Sequence, residues 1–162
     1  MPSIQDIVVV GLLGAGATAL MDAWLLVLSR LGVPVTDWRL VGRWVGQMPQ
    51  GRFTHASIAA SPSVRGELAL GWLAHYAVGI AYAAALVAVM GAGWAMRPTL
   101  LPALAFGVAT VLVPLFVMQP AMGAGLAGRK TASPFRTCLR SVANHAVFGA
   151  GLYVAAAAIA GI

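Results

Sequence analysis

Apolar residues in this chain come in long unbroken runs. Four runs, at residues 4–28, 68–90, 99–118 and 141–161, are long enough to cross a bilayer, which as helix takes about 20 residues. None shows the alternation of a membrane-spanning strand, and main-chain groups in lipid must be bonded internally, so each run predicts a helix. Between the first two lies "DWRLVGRWVGQM", residues 37–48. Trp38, Val41 and Val45 share one helical face there, Leu40 and Trp44 flank it, and Arg39 and Arg43 lie opposite. That pattern predicts a short amphipathic helix, either an ordinary connector or one lying in the membrane interface with both arginines at lipid headgroups. "HASIAASPSVRG" reads as a polar loop leading into the second run.

Composition turns long apolar helices into membrane helices. Of 162 residues, 60% are hydrophobic and 9% charged, against about 25% charged in a soluble domain. Too few charges remain to cover a water-facing surface, so lipid is expected to cover it. The expected fold is all-α: one polytopic membrane domain over residues 1–162. The first run is longer than a signal-peptide core and no basic residue precedes it, so it is expected to be retained.

The net charge is +6, and its placement sets an orientation. Arg30, Arg39, Arg43, Arg52 and Arg65 flank or occupy the first long loop; Arg129, Lys130, Arg136 and Arg140 flank or occupy the second. Arg97 alone falls in the short connection. The positive-inside rule then puts both long loops in the cytoplasm and both termini outside. "GRK", residues 128–130, contributes to a basic rim that sets topology or recruits an anionic headgroup or solute. The expected partners are the bilayer, anionic lipids and, as an open option, further copies of the chain. Nucleic acid is not expected, because no aromatic–basic interleaving occurs.

The chain also repeats itself. "ATALMD", "QMP", "GRFT", "ASP" and "HYAVG" in the first half are echoed in order by "ATVLVP", "MQP", "GRKT", "ASP" and "HAVFG" in the second. A duplicated two-helix unit, residues 4–90 and 99–161, follows, with both copies in the same orientation. Helical spacing aligns Gly11, Ala15, Thr18 and Asp22 in the first helix. It aligns Ala103, Gly107, Thr110 and Pro114 in the third, Gly71, His75, Gly79 and Tyr82 in the second, and Ser141, His145 and Gly149 in the fourth. Small residues on one face let membrane helices approach closely, so these stripes are expected to meet at the bundle centre.

Candidate chemistry sits on those stripes. Asp22, His75, Asn144 and His145, with Thr18 and Thr110, are expected at similar depth around a cavity open to the cytoplasm. An intramembrane carboxylate costs roughly 3 kcal/mol to insert, so Asp22 needs a partner. Two readings follow. Asp22 and the histidines lock helices together, or they form a proton- or ion-responsive site in a small transporter or channel. A third is a haem b held between His75 and His145; otherwise no cofactor and no metal site is expected. Tyr76, Tyr82 and Tyr153 read as packing or interfacial residues. No nucleophile elbow, phosphate loop or paired carboxylates is evident, which argues against an enzyme and leaves a structural or assembly partner as the non-transport alternative.

"GATALMDAW", "LVGRWVGQMPQGRF", "GELALGWLAHYAVGIAYA", "RPTLLPAL", "QPAMGAG" and "NHAVFGAGLY" resemble a family of small bacterial integral membrane proteins catalogued as domain of unknown function 2938. The resemblance covers almost the whole chain. It implies a bacterial inner-membrane location and a four-helix architecture, and implies no activity.

Overall fold

The computed structural model describes residues 3–161. The fold is all-helical, with no strand among the described residues. Five helices are named here: α1 (Ile4–Arg30), α2 (Trp38–Gln47), α3 (Glu67–Met90), α4 (Leu100–Ala121) and α5 (Pro134–Ala160). All but α2 are long and apolar enough to cross a membrane.

Local chemistry explains three of the helix starts. Ser3 caps α1: its hydroxyl accepts from the Asp6 N–H at 3.1 Å, and the Asp6 carboxylate accepts from the Ser3 N–H at 2.8 Å. Asp37 caps α2 through the Arg39 N–H at 2.9 Å. Pro at a first position suits a helix start, and α5 begins at Pro134, two turns before the start its apolar run predicts. The 27 residues of α5 span about 40 Å, longer than a hydrocarbon core. Arg136 and Arg140 therefore fit on the helix itself rather than in the loop.

The third span is not a uniform helix. Regular α geometry ends at Ala109, Thr110 and Val111 form a turn, and Pro114–Met118 is a π-helical segment. Pro114 has no N–H, so it cannot bond to the Thr110 carbonyl one turn back. The chain widens to an i→i−5 bond instead, from the Gln119 N–H to the Pro114 carbonyl.

By contact density the chain divides into two compact units, each discontinuous in sequence. The first comprises Met1–Pro34, Tyr76–Thr110 and Ala143–Ile162; the second comprises Val35–His75 and Val111–Val142. The division cuts across the two expected hairpins, since each unit draws on both.

The first unit is held by glycines that bring helices into main-chain contact. A methyl group at Gly14 would stand 2.5 Å from Ile80 Cα, so α1 and α3 touch backbone to backbone. Gly107 and Gly149 do the same for α4 and α5, and a methyl group at Gly151 would lie 3.0 Å from Ala17 Cα on α1. Leu13, Leu86, Phe148 and Leu152 fill the core around these crossings.

The contact face of α1 differs from the expected stripe. Gly14, Ala17, Thr18 and Leu25 are buried, whereas space beside Gly11 is open. Small residues occupy positions 11 and 14–17, so nearly every face of this turn permits close approach. Which face is used depends on where α3 lies.

In the second unit α2 presses on the first turns of α3. Gly42 meets the Glu67 carbonyl and the Gly71 N–H, and Gly71 meets the Trp38 carbonyl. The two long loops are joined here by main-chain bonds. The His55 N–H donates to the Ala121 carbonyl at 2.8 Å and the Ile58 N–H to the Met122 carbonyl at 3.0 Å. Gly123, with φ 96°, lies against the Ala56 carbonyl.

A pair of substitutions on one helix separates the observed face from the predicted one. Gly14→Ala should cost about 1–3 kcal/mol by overpacking. Gly11→Ala should be neutral or gain up to about 1 kcal/mol from helix propensity. Thermal unfolding in detergent reads both; equal losses would return Gly11 to the interface.

Candidate functional site

Most of the predicted polar residues gather in the first unit, as three interhelical pairs. Asp22 on α1 accepts a hydrogen bond from the Tyr76 hydroxyl of α3 at 3.0 Å. Trp24, also on α1, donates from Nε1 to Asn144 Oδ1 of α5 at 3.1 Å. Next in sequence to Asn144, His145 places Nδ1 2.8 Å from the Thr110 hydroxyl of α4. All of these side chains are half-buried except Thr110, which is buried. Asp22 lies eight residues from the end of α1, and Asn144 and His145 lie ten and eleven residues into α5. At about 1.5 Å per residue those depths are similar.

The Thr110 hydroxyl also donates to the Gly107 carbonyl, at 2.6 Å. A hydroxyl has one proton, so with that bond made it accepts from His145 Nδ1–H. The relay places the His145 proton on Nδ1. Asp22 and His145 thus stand on different helices of the unit, each with a hydroxyl partner.

Two predicted members make other contacts. Thr18 is fully buried, but its hydroxyl donates to the Gly14 carbonyl of its own helix at 2.8 Å and lies against Gly79. It serves the α1–α3 crossing. His75 belongs to the second unit, where its ring stacks on Trp38 at 4.0 Å and lies 5.9 Å from Trp72.

Tyr76 and Trp24 are site residues that sequence reasoning passed over. The available signal was that a Tyr hydroxyl or an indole N–H in an apolar helix must find an acceptor.

The second unit carries the whole net charge. Arg39, Arg43, Arg52, Arg65, Arg129, Lys130, Arg136 and Arg140 stand against Asp37 and Glu67, which leaves +6. In the first unit Arg30 and Arg97 balance Asp6 and Asp22. Arg39, Arg129 and Lys130 are exposed.

Arg43 is not, and its expected headgroup role is corrected. Its side chain is 14% exposed and forms a two-pronged pair with Glu67, Nε and Nη2 each 2.9 Å from a carboxylate oxygen. Nη1 lies 3.4, 3.1 and 3.0 Å from the carbonyls of Ile58, Ala59 and Ser61. The hydrogen-bonded Glu67 carboxylate holds the guanidinium above its ordinary pKa. Arg43 lies opposite the apolar face of α2, as its spacing predicted, but the loop folds over that face and supplies the acceptors.

Gln47 completes the clasp. It is 3% exposed, donating from Nε2 to the Pro62 carbonyl at 2.8 Å, while its Oε1 lies 2.9 Å from His55 Nε2. Since Oε1 only accepts, His55 carries its proton on Nε2.

Residues 11–159 match the family described as Protein of unknown function (DUF2938). The chain belongs to that family. Neither a curated protein nor a solved structure matches it. Within 11–159 fall the three polar pairs of the first unit and the Arg43–Glu67 clasp of the second, so the match spans both arrangements.

The Arg43–Glu67 pair predicts non-additive mutations. Arg43→Ala and Glu67→Ala should each lower the melting temperature in detergent, and the double variant should fall by less than the sum. Full additivity would mean that the pair is not coupled.

Proposed function

We propose that this protein is a small proton-responsive transporter of the bacterial inner membrane, with Asp22 as the titrating group. Both termini lie outside and both long loops lie in the cytoplasm. One observation carries the reading. Three polar pairs join four membrane-span-like helices at similar depth, and one of them contains a carboxylate. Ionisable groups inside a span are costly, and where they persist they commonly mark ion or proton paths. In the proposed cycle Asp22 exchanges a proton as its bond with Tyr76 adjusts, and His145, held at Nδ1 by Thr110, serves as a relay.

The two hairpins, residues 4–90 and 99–161, are read as parallel copies of one ancestral unit. Two likenesses support this. Thr18 and Thr110 each donate to a carbonyl of their own helix. Gly79 and Gly149, at matching positions of the repeat, each sit in a main-chain contact with the preceding span. The copies differ where Pro114 stands in place of Asp22, so a single carboxylate serves the pair. The amphipathic α2, inserted in the first copy only, is assigned to the cytoplasmic interface.

The test is proton uptake into liposomes under an imposed potassium-diffusion potential, followed with an entrapped pH dye. Wild type should acidify the lumen, Asp22→Asn should abolish that component, and Tyr76→Phe should shift its pH dependence. If Asp22→Asn lowers only the melting temperature while uptake is unchanged, Asp22 is a packing group and the protein an assembly component. Reporter fusions should place both termini in the periplasm; a cytoplasmic N-terminus would reverse the proposed orientation.

A further inference from the structure

We propose that residues 55–59, "HASIA", form a pH-sensitive strap over the end of the third span, released when His55 takes up a proton. His55 has no part in the transport reading, so the two stand or fall separately. The strap is an insertion. In the first half these residues separate "GRFT" from "ASP"; in the second half "GRKT" runs directly into "ASP".

The inserted residues reach the end of α4. The N–H groups of His55 and Ile58 donate to the Ala121 and Met122 carbonyls at 2.8 and 3.0 Å. The last carbonyls of a helix have no partner within it, so these bonds close the end of the span. Gly123 turns there at φ 96°, against the carbonyls of His55 and Ala56. Ile58 is buried and anchors the strap. The far end is tied to α2, where Arg43 Nη1 reaches the Ile58, Ala59 and Ser61 carbonyls.

The near end rests on the His55 ring, which is matched in one protonation state only. Nε2–H donates to Gln47 Oε1 at 2.9 Å. Gln47 is buried, and its Nε2 is committed to the Pro62 carbonyl, so Oε1 faces His55. Nδ1 is buried and has no hydrogen-bond partner. A neutral ring forgoes one acceptor bond at Nδ1. An imidazolium would bury a charged N–H donor without an acceptor, which costs more.

The surrounding charge acts in the same direction. Arg39 and Arg43 stand on α2, Arg52 and Arg65 in the strap's own loop, and Arg129 and Lys130 in the turn after α4. Arg136 and Arg140 stand on the first turns of α5, where the Cys138 thiol donates to the Ala127 carbonyl. The carboxylates of the unit are Asp37, which caps α2, and Glu67, which Arg43 holds. The partner of the His55 ring is a neutral amide. A further positive charge at His55 therefore enters a unit already at +6. Like charges repel, and the released strap lets the ring reach water. On release the two bonds to the end of α4 are given up, while Arg43 keeps the far end on α2.

Hydrogen exchange of the full-length protein in neutral detergent tests this, with each rate referred to the intrinsic rate at the same pH. From about pH 8 to about pH 5, the interval in which histidine commonly changes charge, wild-type protection at residues 55–58 should fall about tenfold. Protection of α2 at residues 41–46 should stay constant. In His55→Gln, whose side chain does not titrate, protection at 55–58 should not depend on pH. His55→Asn replaces it if the glutamine leaves the strap open at about pH 8. If both variants leave it open, nitrogen-15 spectra of the wild-type histidines decide. Nδ1 of His55 should gain its proton over the interval in which protection is lost, and a mismatch overturns the strap.

Constant protection in wild type would overturn it, as would equal loss at α2, which marks general acid unfolding. A pH dependence retained in a variant that holds the strap closed would assign the effect to another group. A gain of protection on acidification would mean that Nδ1–H finds an acceptor, such as the unpartnered Gln119 Oε1, and would also overturn release.

Discussion

Helices in lipid have no hydrophobic drive to associate, so their packing rests on close approach and on bonds between polar groups. In this protein close approach is achieved at glycine. Gly14 lets α1 meet α3, Gly107 and Gly149 let α4 meet α5, Gly151 lets α5 meet α1, and Gly42 with Gly71 lets α2 lie on α3. At each of these places a single methyl group would press on main-chain atoms. The half-buried polar pairs of the first unit depend on those crossings, because a hydrogen bond near 3 Å between two helices requires the backbones to be already close.

The polar groups are divided by role as well as by place. In the first unit they pair between helices: Tyr76 with Asp22, Trp24 with Asn144, His145 with Thr110. In the second they pin loops: Arg43 and Gln47 on α2 gather the carbonyls of residues 58–62, and Glu67 takes Arg43 and the Val64 N–H. A loop held this way presents its remaining exposed cations from a fixed frame. The charge division has the same sense, with a balanced first unit and a second unit holding all of the excess.

What could be read along the chain was whatever depends on local composition. Lipid selects for long apolar runs, so the four spans were legible, with α1 and α3 close to their observed ends. The amphipathic spacing of residues 37–48 located α2 for the same reason. Asp22, Asn144, His145 and Thr110 were legible as a polar set because uncompensated polar groups in lipid are costly. Their partners were less so. Tyr76 and Trp24 look like ordinary aromatic residues until the acceptors of their hydroxyl and indole groups are known.

The sequence by itself determined the fold class, the family and the charge asymmetry; the fold class follows from the free energy of placing each residue in lipid or water. Tertiary structure alone decided which face of α1 is covered, since positions 11 and 14–17 are all small and none excludes a neighbour. It also decided that Arg43 bonds internally, that His75 stacks on Trp38, and that Pro114 opens a π-helical segment rather than ending the span. Each of these depends on which backbone atoms lie within reach, and helical spacing does not encode that distance.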